Sequence, residues 1–380
     1  MERRLIISDN CSLLADQSAA IDHALNEAEN LRIMLLSTHE PPQGPSIPSK
    51  ACDVLSRNNI PIKRVAVSNR WGFTSSRDLV AAINNFSPAT VDLFCLHPFS
   101  WLVPLARCRI RRATVHLQQS LRNVMRIAIA ESLPLMPHID WQVPSPEIAQ
   151  ELIESGIPQT NVSVKSPAYR FEFESRYVNS ETGNREVVLR EFGLPSHAKL
   201  VTTVTYLQPN NGLRDLIWAC EILKGVRDDV HLCIIGDVDP RKRDFIRELQ
   251  LFVRKTLLKN QVHFLGWSTK AADLIGVSSL YCEASAKLPK SKGLCFARFM
   301  QIPTIVPDSD FNQQHFKNAV DCLMYRKQAR NELARSMYRL LEDVELAKSI
   351  SINARLNDKQ NEGTQVNSKS IKANSKVTAA

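Results

Sequence analysis

The sequence predicts an α/β protein with two doubly wound domains, each a parallel sheet covered by helices on both faces. Short β-branched runs alternate with longer helical patterns along the chain, and this alternation is typical of parallel sheets. The 380 residues are enough for two domains with cores of ordinary size. Hydrophobic residues make up 44% and charged residues 23% of the chain, which excludes a globally disordered or fibrous protein.

Seven strands are predicted in the first half of the chain. They are residues 4–8, 33–38, 60–67, 91–96, 113–117, 141–143 and 162–165. Between the first two strands, one face of a predicted helix carries Leu14, Ile21, Leu25 and Ala28.

Five further strands are predicted in the second half. They are residues 200–205, 230–235, 262–265, 280–282 and 302–306. After Asp239 the sequence predicts a helix with one buried stripe. That stripe consists of Phe245, Leu249, Phe252, Val253 and Leu257.

A polar stretch at residues 171–184 separates the two sets of strands. We therefore predict a first domain at residues 1–178 and a second at residues 179–325. Residues 326–355 are predicted to form a helical segment that packs back on the first domain. Residues 356–380 have almost no large apolar side chains and are predicted to be a disordered tail. Because ligands of such sheets bind at the carboxyl ends of strands, we expect the site in a cleft between the domains.

Charge and cysteine usage indicate the partner and the compartment. The net charge of +9 favours an anionic partner, such as a nucleotide, a nucleic acid or an acidic membrane. The nine cysteines are scattered without a CxxC pair, which is typical of reduced thiols in a cytosolic protein. The first residues lack the apolar core of a signal peptide, and the most apolar window, residues 92–108, is interrupted by Pro98 and Pro104. We predict a cytoplasmic protein, at most peripheral at the inner face of a membrane.

Five short segments of the second half occur in a recognisable order. They are EVVLREFGLP (186–195), VTTVTYLQPNNGLRDLIWA (201–219), LCIIGD (232–237), VHFLGW (262–267) and QIPTIV (301–306). Over residues 187–355 their order and spacing resemble the nucleotide-sugar-binding domain of the retaining GT-B glycosyltransferases called family 4 or group 1. The resemblance implies a GT-B fold of two Rossmann-like domains with a cleft between them.

The resemblance also implies an activity. Such an enzyme transfers a sugar from a UDP- or GDP-sugar donor to a glycan or a lipid-linked acceptor, with retention of configuration, in polysaccharide or lipid-glycan assembly. Asp237 and Asp239 match the D-x-D metal motif of the other glycosyltransferase fold. Since Asp239 is better explained as a cap of the following helix, we expect neither a metal nor another cofactor.

The resemblance places the donor at the strand ends of the second domain. The base is expected near Gly266 and Trp267, and the diphosphate near Gly212. The sugar is expected near Ser285, and Gly236 ends the intervening strand.

Four positions depart from the family's pattern. Tyr206 and Asn211 stand where the family has an arginine and a lysine that neutralise the diphosphate, and Leu288 and Phe296 stand where it has a glutamate pair. A hydrogen bond to a charged group contributes roughly 1.5–3 kcal/mol, so two lost cations weaken donor binding by about 3–6 kcal/mol unless other residues replace them. The alternative therefore stays open that the chain is a catalytically degenerate GT-B module that binds a glycan, a nucleotide or a partner enzyme.

Lysines after a strand of the second domain are candidates to replace the lost cations. Lys287, Lys290 and Lys292 belong to the segment KLPKSK, beside the strand end where the donor sugar is expected. The alternative is a solvated basic loop. Arg214, one turn into the helix after Gly212, is a second candidate.

Two histidines end consecutive predicted strands of the first domain. His97 follows the strand in VDLFCLH and His116 ends the strand in ATVH. Both resemble family histidines that face the cleft, where one contacts the donor sugar, and we predict both as catalytic. The alternative for each is a structural hydrogen bond.

The densest basic cluster of the chain follows the apolar segment FSWLVPLA. It consists of Arg107, Arg109, Arg111 and Arg112. Basic charge beside apolar side chains suits docking on an anionic membrane, and the alternative is an ordinary surface turn. A nucleic-acid partner is not predicted, because no helix-turn-helix, zinc-finger or RRM sequence accompanies the cluster.

Overall fold

The computed structural model confirms an α/β fold with two parallel sheets. It describes residues 3–8, 32–37, 62–64, 76–94, 105, 108, 110–117, 139–144, 146–165, 184–205, 207, 209, 211–236, 243–266, 271–285 and 291–358. The chain divides into two compact units. One comprises Met1–Arg170 and Lys287–Lys292, and the other Phe171–Ala286 and Gly293–Ala380.

The first unit contains a seven-stranded sheet. Its strands are β1 (Arg3–Ser8), β2 (Arg32–Ser37), β3 (Ile62–Arg64), β4 (Thr90–Phe94), β5 (Arg112–His116), β6 (Ile139–Val143) and β7 (Val162–Val164). Helices α1 (Ser76–Phe86) and α2 (Pro146–Glu154) and a 3₁₀ turn at Gln159–Asn161 accompany them. The strands lie in the order β3-β2-β1-β4-β5-β6-β7, and all neighbours are parallel.

The second unit contains a six-stranded sheet. Its strands are β8 (Lys199–Val204), β9 (Val230–Ile235), β10 (Val262–Gly266), β11 (Leu280–Cys282), β12 (Thr304–Pro307) and β13 (Leu323–Tyr325). They lie in the parallel order β10-β9-β8-β11-β12-β13. The helices are α3 (Arg185–Glu191), α4 (Leu213–Lys224), α5 (Arg243–Lys255), α6 (Ala271–Gly276), α7 (Lys292–Phe299), α8 (Asp310–His315), α9 (Arg330–Glu342) and α10 (residues 344–358).

Both sheets reverse their direction of growth at a central pair of strands. In the first sheet the chain moves outward from β1 to β3 and returns to place β4 on the other side of β1. In the second sheet it moves from β8 to β10 and returns to place β11 beside β8. The loops at such a reversal separate, so the carboxyl ends of these strands form a binding position in doubly wound sheets.

Buried apolar strands hold the second sheet between its helices. Every residue of β9 is buried, as expected for a central parallel strand covered on both faces. Leu216, Ile217 and Leu223 of α4 pack in the same core. The edge strand β10 is only partly covered, and its pairing with β9 shifts register between Phe264 and Gly266.

Several predicted elements have different bounds in the structure. The predicted strand at residues 302–306 begins at Thr304. The three-residue strand β13 was not predicted, because Leu-Met-Tyr contains no β-branched residue. The predicted helix with Leu14 and Ala28 lies outside the described residues, and so do residues 359–380 of the predicted tail.

The predicted apolar stripe after Asp239 is wrong at its last member. Helix α5 ends at Lys255, and Leu249 and Val253 are buried as predicted. Leu257 lies beyond the helix with a φ of 55°, and its side chain is 76% exposed. The left-handed turn directs Leu257 to the solvent, so it is not part of the stripe.

The helices near the C-terminus contribute to the core of the second unit. Leu333 and Met337 of α9 and Ile350 of α10 belong to the same apolar cluster as Leu216 of α4. The described packing of this segment lies within the second unit. Its return to the first domain stays a prediction.

Candidate functional site

Three predicted site residues lie at the carboxyl ends of strands of the second sheet. Gly236 directly follows β9, Gly266 ends β10 and Ser285 follows β11. Gly212, on the loop after β8, is the N-cap of α4. Trp267 lies outside the described residues.

Two glycines let backbone segments approach each other closely at this edge. A Cβ atom on Gly212, whose φ is 72°, would lie 2.0 Å from the carbonyl oxygen of Ala284. A Cβ atom on Gly236, whose φ is 143°, would lie 1.8 Å from the carbonyl oxygen of Thr205. Only glycine tolerates both the conformation and the approach. The loops after β8, β9 and β11 are therefore in direct backbone contact.

The N-terminus of α4 opens at this edge. Gly212 has no side chain to accept hydrogen bonds from the first backbone amides of the helix. Unpaired amides and the helix dipole make such an end favourable for an anion. The buried strand β8 leads into the twelve-residue helix α4 here. The backbone amides of the first turn of α4 are therefore held in fixed positions by the helix.

A third close approach, at Gly293, was missed by the sequence analysis. A Cβ atom there would lie 2.6 Å from Tyr281 Oη and 2.9 Å from Val204 Cβ. The backbone amide of Val204 donates to the same Tyr281 oxygen at 3.3 Å. Helix α7 therefore starts in direct contact with β8 and β11, which fixes the position of Lys292, its first residue.

Among the three predicted lysines, the structure describes Lys292. Its side chain is only 1% exposed, although an ammonium group is costly to bury without opposite charge or hydrogen-bond acceptors. The alternative of a solvated basic loop therefore does not apply to Lys292. Lys287 and Lys290 lie outside the described residues.

A buried carboxylate, Glu283, lies directly after β11 and was not predicted. Glu283 is 1% exposed, and its Oε1 accepts a hydrogen bond from the backbone amide of Ser285 at 3.1 Å. The hydroxyl of Tyr325 donates to the Glu283 carbonyl oxygen at 3.4 Å. A signal was present in the sequence, because a glutamate interrupts the buried run LYCEAS. Glu283 therefore places a buried carboxyl group directly after the end of β11.

The positions that depart from the family's pattern carry uncharged groups. Asn211 is buried and its amide nitrogen donates to Thr205 Oγ1 at 3.0 Å. Phe296 is fully buried in α7.

Arg214, the second candidate to replace the lost cations, has an acidic partner. Its guanidinium binds Glu248 of α5 at 2.6 Å, with both side chains more than half exposed. Tyr206 and Leu288 lie outside the described residues.

In the first unit, His116 occupies the end of β5, as predicted. Its Nε2 lies 2.9 Å from Asp92 Oδ1, and both side chains are buried. Its ring stacks on Phe94 with centroids 4.0 Å apart and planes at 7°. Arg4 Nε lies 3.3 Å from the other carboxylate oxygen of Asp92. His97 lies outside the described residues.

Asp92 and Arg4 were not predicted as partners of this histidine. A signal existed, because Asp92 interrupts the buried strand β4, whose last four residues are all buried. The side-chain alternation of parallel strands then places Asp92 on the same face as His116.

The basic cluster is partly neutralised. Arg111 and Arg112 are exposed, and Arg112 forms an ion pair with Asp140 of β6. This hydrogen bond raises the pKa of Arg112 above its ordinary value. Arg107 and Arg109 lie outside the described residues. Within the described part of the chain, no helix combines the length and apolarity needed to cross a membrane.

Comparisons with known proteins agree with this arrangement. The family model "Glycosyl transferases group 1" matches residues 184–357. The solved structure of Anabaena HepE in complex with UDP and glucose is similar, with a TM-score of 0.76 at 16% identity, covering 95% of each chain.

Two further solved structures share the fold. Sucrose-phosphate synthase from Thermosynechococcus elongatus has a TM-score of 0.70 at 13% identity, covering 98% of this chain and 100% of the other. S. aureus TarM has a TM-score of 0.68 at 8% identity, covering 94% and 96%. No curated protein sequence matches the chain significantly. The chain is therefore similar to the group 1 glycosyltransferases over residues 184–357, and its two parallel sheets have the GT-B fold.

Proposed function

We propose that the protein transfers a sugar from a nucleotide-sugar donor to a hydroxyl group of an acceptor, with retention of configuration. The observation that carries the proposal is the close approach of Gly212 to Ala284 at the N-terminus of α4. It supports an anion site in the group 1 domain where the diphosphate of a donor is expected. HepE was solved in complexes with UDP and with UDP-glucose, so a UDP-sugar is the first donor to test and a GDP-sugar the second.

In this proposal residues of the predicted second domain, 179–325, bind the donor. The amides of α4 and the ammonium group of Lys292 stabilise the departing diphosphate, which carries most of the developing charge. Lys287 and Lys290 add positive charge to the same group. Glu283 and Ser285 bind sugar hydroxyls, and Gly266 and Trp267 accommodate the base.

His116 and His97 stay the candidate catalytic residues of the first domain. The departing phosphate accepts the proton of the acceptor hydroxyl, so the reaction needs neither a strong protein base nor a metal. The proposed acceptor is a glycan or a lipid-linked glycan in polysaccharide or lipid-glycan assembly. Arg107, Arg109 and Arg111 provide positive charge for a peripheral contact with the cytoplasmic face of a membrane.

Calorimetric titration and a transfer assay test the proposal together. We expect UDP or GDP to bind the purified full-length chain, and one member of a panel of UDP- and GDP-sugars to be consumed with release of the nucleoside diphosphate. A group 1 enzyme of known activity, assayed in parallel, is the positive control. Absence of both binding and consumption, while that control responds, would contradict the proposal.

A second candidate function is a degenerate GT-B module that binds a nucleotide, a glycan or a partner enzyme without turnover. The hydrogen bond from Asn211 to Thr205 and the burial of Phe296 favour it, because both residues replace charged groups of the family. The same experiments separate the candidates, since the module binds UDP or GDP but consumes no donor sugar.

A further inference from the structure

Two loops lie side by side at the amino edge of the second sheet, opposite the strand ends that carry the candidate site. One loop joins α4 to β9 and the other joins α5 to β10. Lys224 Nζ donates to the Leu257 carbonyl oxygen at 2.8 Å, and Gln261 Nε2 donates to the Asp228 carbonyl oxygen at 2.9 Å. These two hydrogen bonds join the loops into one surface.

Aliphatic side chains are exposed on this surface and on the adjoining end of α5. Leu257 is 76% exposed, Val226 is 70% exposed, and Leu251 of α5 is 54% exposed. The opposite face of α5 is buried, because Leu249 and Val253 pack in the core of the second unit. The three exposed side chains therefore lie on the two joined segments and away from the core.

Leu257 is explained neither by the core nor by its own backbone conformation. The Leu257 amide donates to the Arg254 carbonyl oxygen at 3.2 Å, and the Leu258 amide donates to the Val253 carbonyl oxygen at 3.0 Å. This pair of hydrogen bonds is a Schellman motif, in which the left-handed position is usually a glycine or an asparagine. Leu257 occupies that position with a φ of 55°, where a side chain is strained. Strained residues of this kind occur at binding surfaces.

The end of α5 and the loop after it carry positive charge. Arg254, Lys255 and Lys259 are all exposed. The sequence contains no acidic residue from position 249 to position 272. Among the residues that the structure describes, no carboxylate pairs with any of these three cations. Positive charge therefore surrounds the exposed side chain of Leu257.

Carboxylates lie at the margins of this surface. Glu248, one turn before Leu251, pairs with Arg214 of α4. On the α4 side, Asp228 is exposed and Glu221 is half-buried. The positive charge is therefore concentrated on the α5 side, together with two of the three exposed aliphatic side chains.

We propose that this surface binds an anionic lipid bilayer. This amino-edge patch consists of Val226, Leu251, Arg254, Lys255, Leu257 and Lys259. Its cations bind lipid phosphates, and its aliphatic side chains enter the boundary between head groups and acyl chains. Single-stranded nucleic acids stack their bases on aromatic rings, and none of the six side chains is aromatic. The inference depends on neither donor binding nor turnover.

Vesicle co-sedimentation tests the proposal with the purified full-length chain. One set of vesicles contains phosphatidylglycerol and phosphatidylcholine in equal parts, and the other contains phosphatidylcholine alone. We expect the chain to bind the anionic vesicles and to bind the neutral vesicles much less. Added salt should weaken the binding, because it screens the attraction between the cations and the lipid phosphates.

Removing charges from the patch should weaken this binding. One basic side chain near an anionic surface changes the partition coefficient about fivefold, so we expect Lys255→Gln/Lys259→Gln to lower it about 25-fold. The control, Arg326→Gln/Lys327→Gln, removes the same number of exposed charges directly after β13, at the opposite edge of the sheet. It should change the partition coefficient much less.

Replacing Leu257 tests the apolar contact and keeps the fold. Asparagine tolerates the left-handed position at the end of a helix, so Leu257→Asn should unfold at the same urea concentration as the wild type or at a higher one. Loss of a leucine that enters the bilayer boundary should lower the partition coefficient about 10-fold. Leu257→Met keeps an apolar side chain and should bind as the wild type does.

Three results would overturn the inference. They are absence of binding to the anionic vesicles, an equal partition coefficient in Lys255→Gln/Lys259→Gln and its control, and an unchanged partition coefficient in Leu257→Asn. A polynucleotide that binds through these lysines, while the vesicles do not bind, would assign the patch to a nucleic acid instead. A chain that binds vesicles through the patch but consumes no donor sugar contradicts only the proposed function.

Discussion

At the scale of single residues, Lys292 combines a positive charge with nearly complete burial. The contact of Gly293 with Tyr281 and Val204 holds the start of α7 at the carboxyl edge of the second sheet. In the proposed function this ammonium group binds the diphosphate, and its side chain loses little conformational freedom on binding because it is already held in place.

Replacing the lysines with alanine tests this role. A hydrogen bond to a charged group contributes roughly 1.5–3 kcal/mol, so we expect Lys290→Ala/Lys292→Ala to raise the Kd for UDP by at least about 10-fold, the loss for one such bond. Lys224→Ala is the control, because Lys224 donates to the Leu257 carbonyl at the other end of α4. Calorimetry measures both. An unchanged Kd in the double variant would show that the lysines do not replace the lost cations.

The second sheet also contains a pair of histidines in contact. His231 Nδ1 and His263 Nε2 lie 3.0 Å apart on β9 and β10. Burial and the neighbouring His231 lower the pKa of His263 to about 4. The pKa of His231 is lowered by burial and by His197, against the opposing effect of Asp229. Because the two contacting ring nitrogens share one proton, adding a second proton to the pair is unfavourable.

This pair predicts a pH-dependent stability. The pKa of histidine in an unfolded chain is about 6.5, above the folded value for His263, so the unfolded state binds more protons between pH 4 and 6.5. The contribution of neutral His263 to the free energy of unfolding is then fully present above pH 6.5 and is lost as the pH falls towards 4. We expect the urea midpoint to drop between pH 7.5 and 5, and His263→Gln to reduce that drop. His315→Gln, on α8, is the control. An equal drop in all three proteins would contradict the prediction.

At the scale of elements, the loop that connects β8 to α4 depends on glycine. A side chain at Gly212 would destabilise the fold in two ways: it would strain the left-handed backbone, and it would collide with Ala284. Gly193 has the same left-handed backbone, with a φ of 65°, but a Cβ atom there would have open space around it. A side chain at Gly193 therefore causes the backbone strain without the collision.

A pair of alanine variants uses this difference. We expect Gly193→Ala to cost about 1 kcal/mol of unfolding free energy, the strain of a left-handed alanine. Gly212→Ala should cost at least about 2 kcal/mol more, because backbone atoms must move, and it should weaken UDP binding. Urea unfolding and calorimetry measure the two effects. Equal costs for the two variants would show that the approach to Ala284 does not constrain the loop.

Helices α7 and α10 are joined by a buried arginine. The guanidinium of Arg298 is 1% exposed and binds both carboxylate oxygens of Asp358, at 2.9 and 3.1 Å. It also donates to the Asp321 carbonyl at 2.9 Å and lies 4.6 Å from the centre of the Phe316 ring. The last turn of α10 is therefore attached to the helix that begins at Lys292.

Removing one partner of this group should be costly. Arg298→Ala leaves the buried carboxylate of Asp321, 3.5 Å from the guanidinium, and the partly buried carboxylate of Asp358 without their cation. We therefore expect a loss of about 3–5 kcal/mol in unfolding free energy. Arg326→Ala breaks a pair with Glu332 in which Arg326 is 77% exposed, and should cost at most about 1 kcal/mol. Urea unfolding compares the variants. A cost for Arg298→Ala as small as for Arg326→Ala would refute the attachment of α10.

At the scale of the whole molecule, apolar patterning predicted most of both sheets. Most residues of buried runs such as 91–94 and 230–235 are apolar, so these runs favour strands independently of distant residues. Strand β13 was not predicted, because its three residues have no such pattern. Leu257 was misplaced because a left-handed turn ended the helix before it. In both places the packing of the surrounding chain, and not the local sequence pattern, determines the structure.

The candidate site was predicted only in part. Gly236, Ser285 and His116 lie at or shortly after strand ends, as expected, and Gly212 and Lys292 lie where the following helices begin. Glu283 was missed, although its charge interrupts a buried run. The partners of His116 were missed because they come from two other strands, and strand order cannot be derived from periodicity.

The sequence by itself determined that the chain forms two sets of alternating strands and helices, because the burial of a periodic apolar face is a property of each segment. The tertiary structure alone decided which side chains meet. Asp92 and His116 are 24 residues apart, and Arg298 and Asp358 are 60 residues apart. Their contacts depend on strand order, register and helix packing, and these follow from the fit of the whole core and from no single segment.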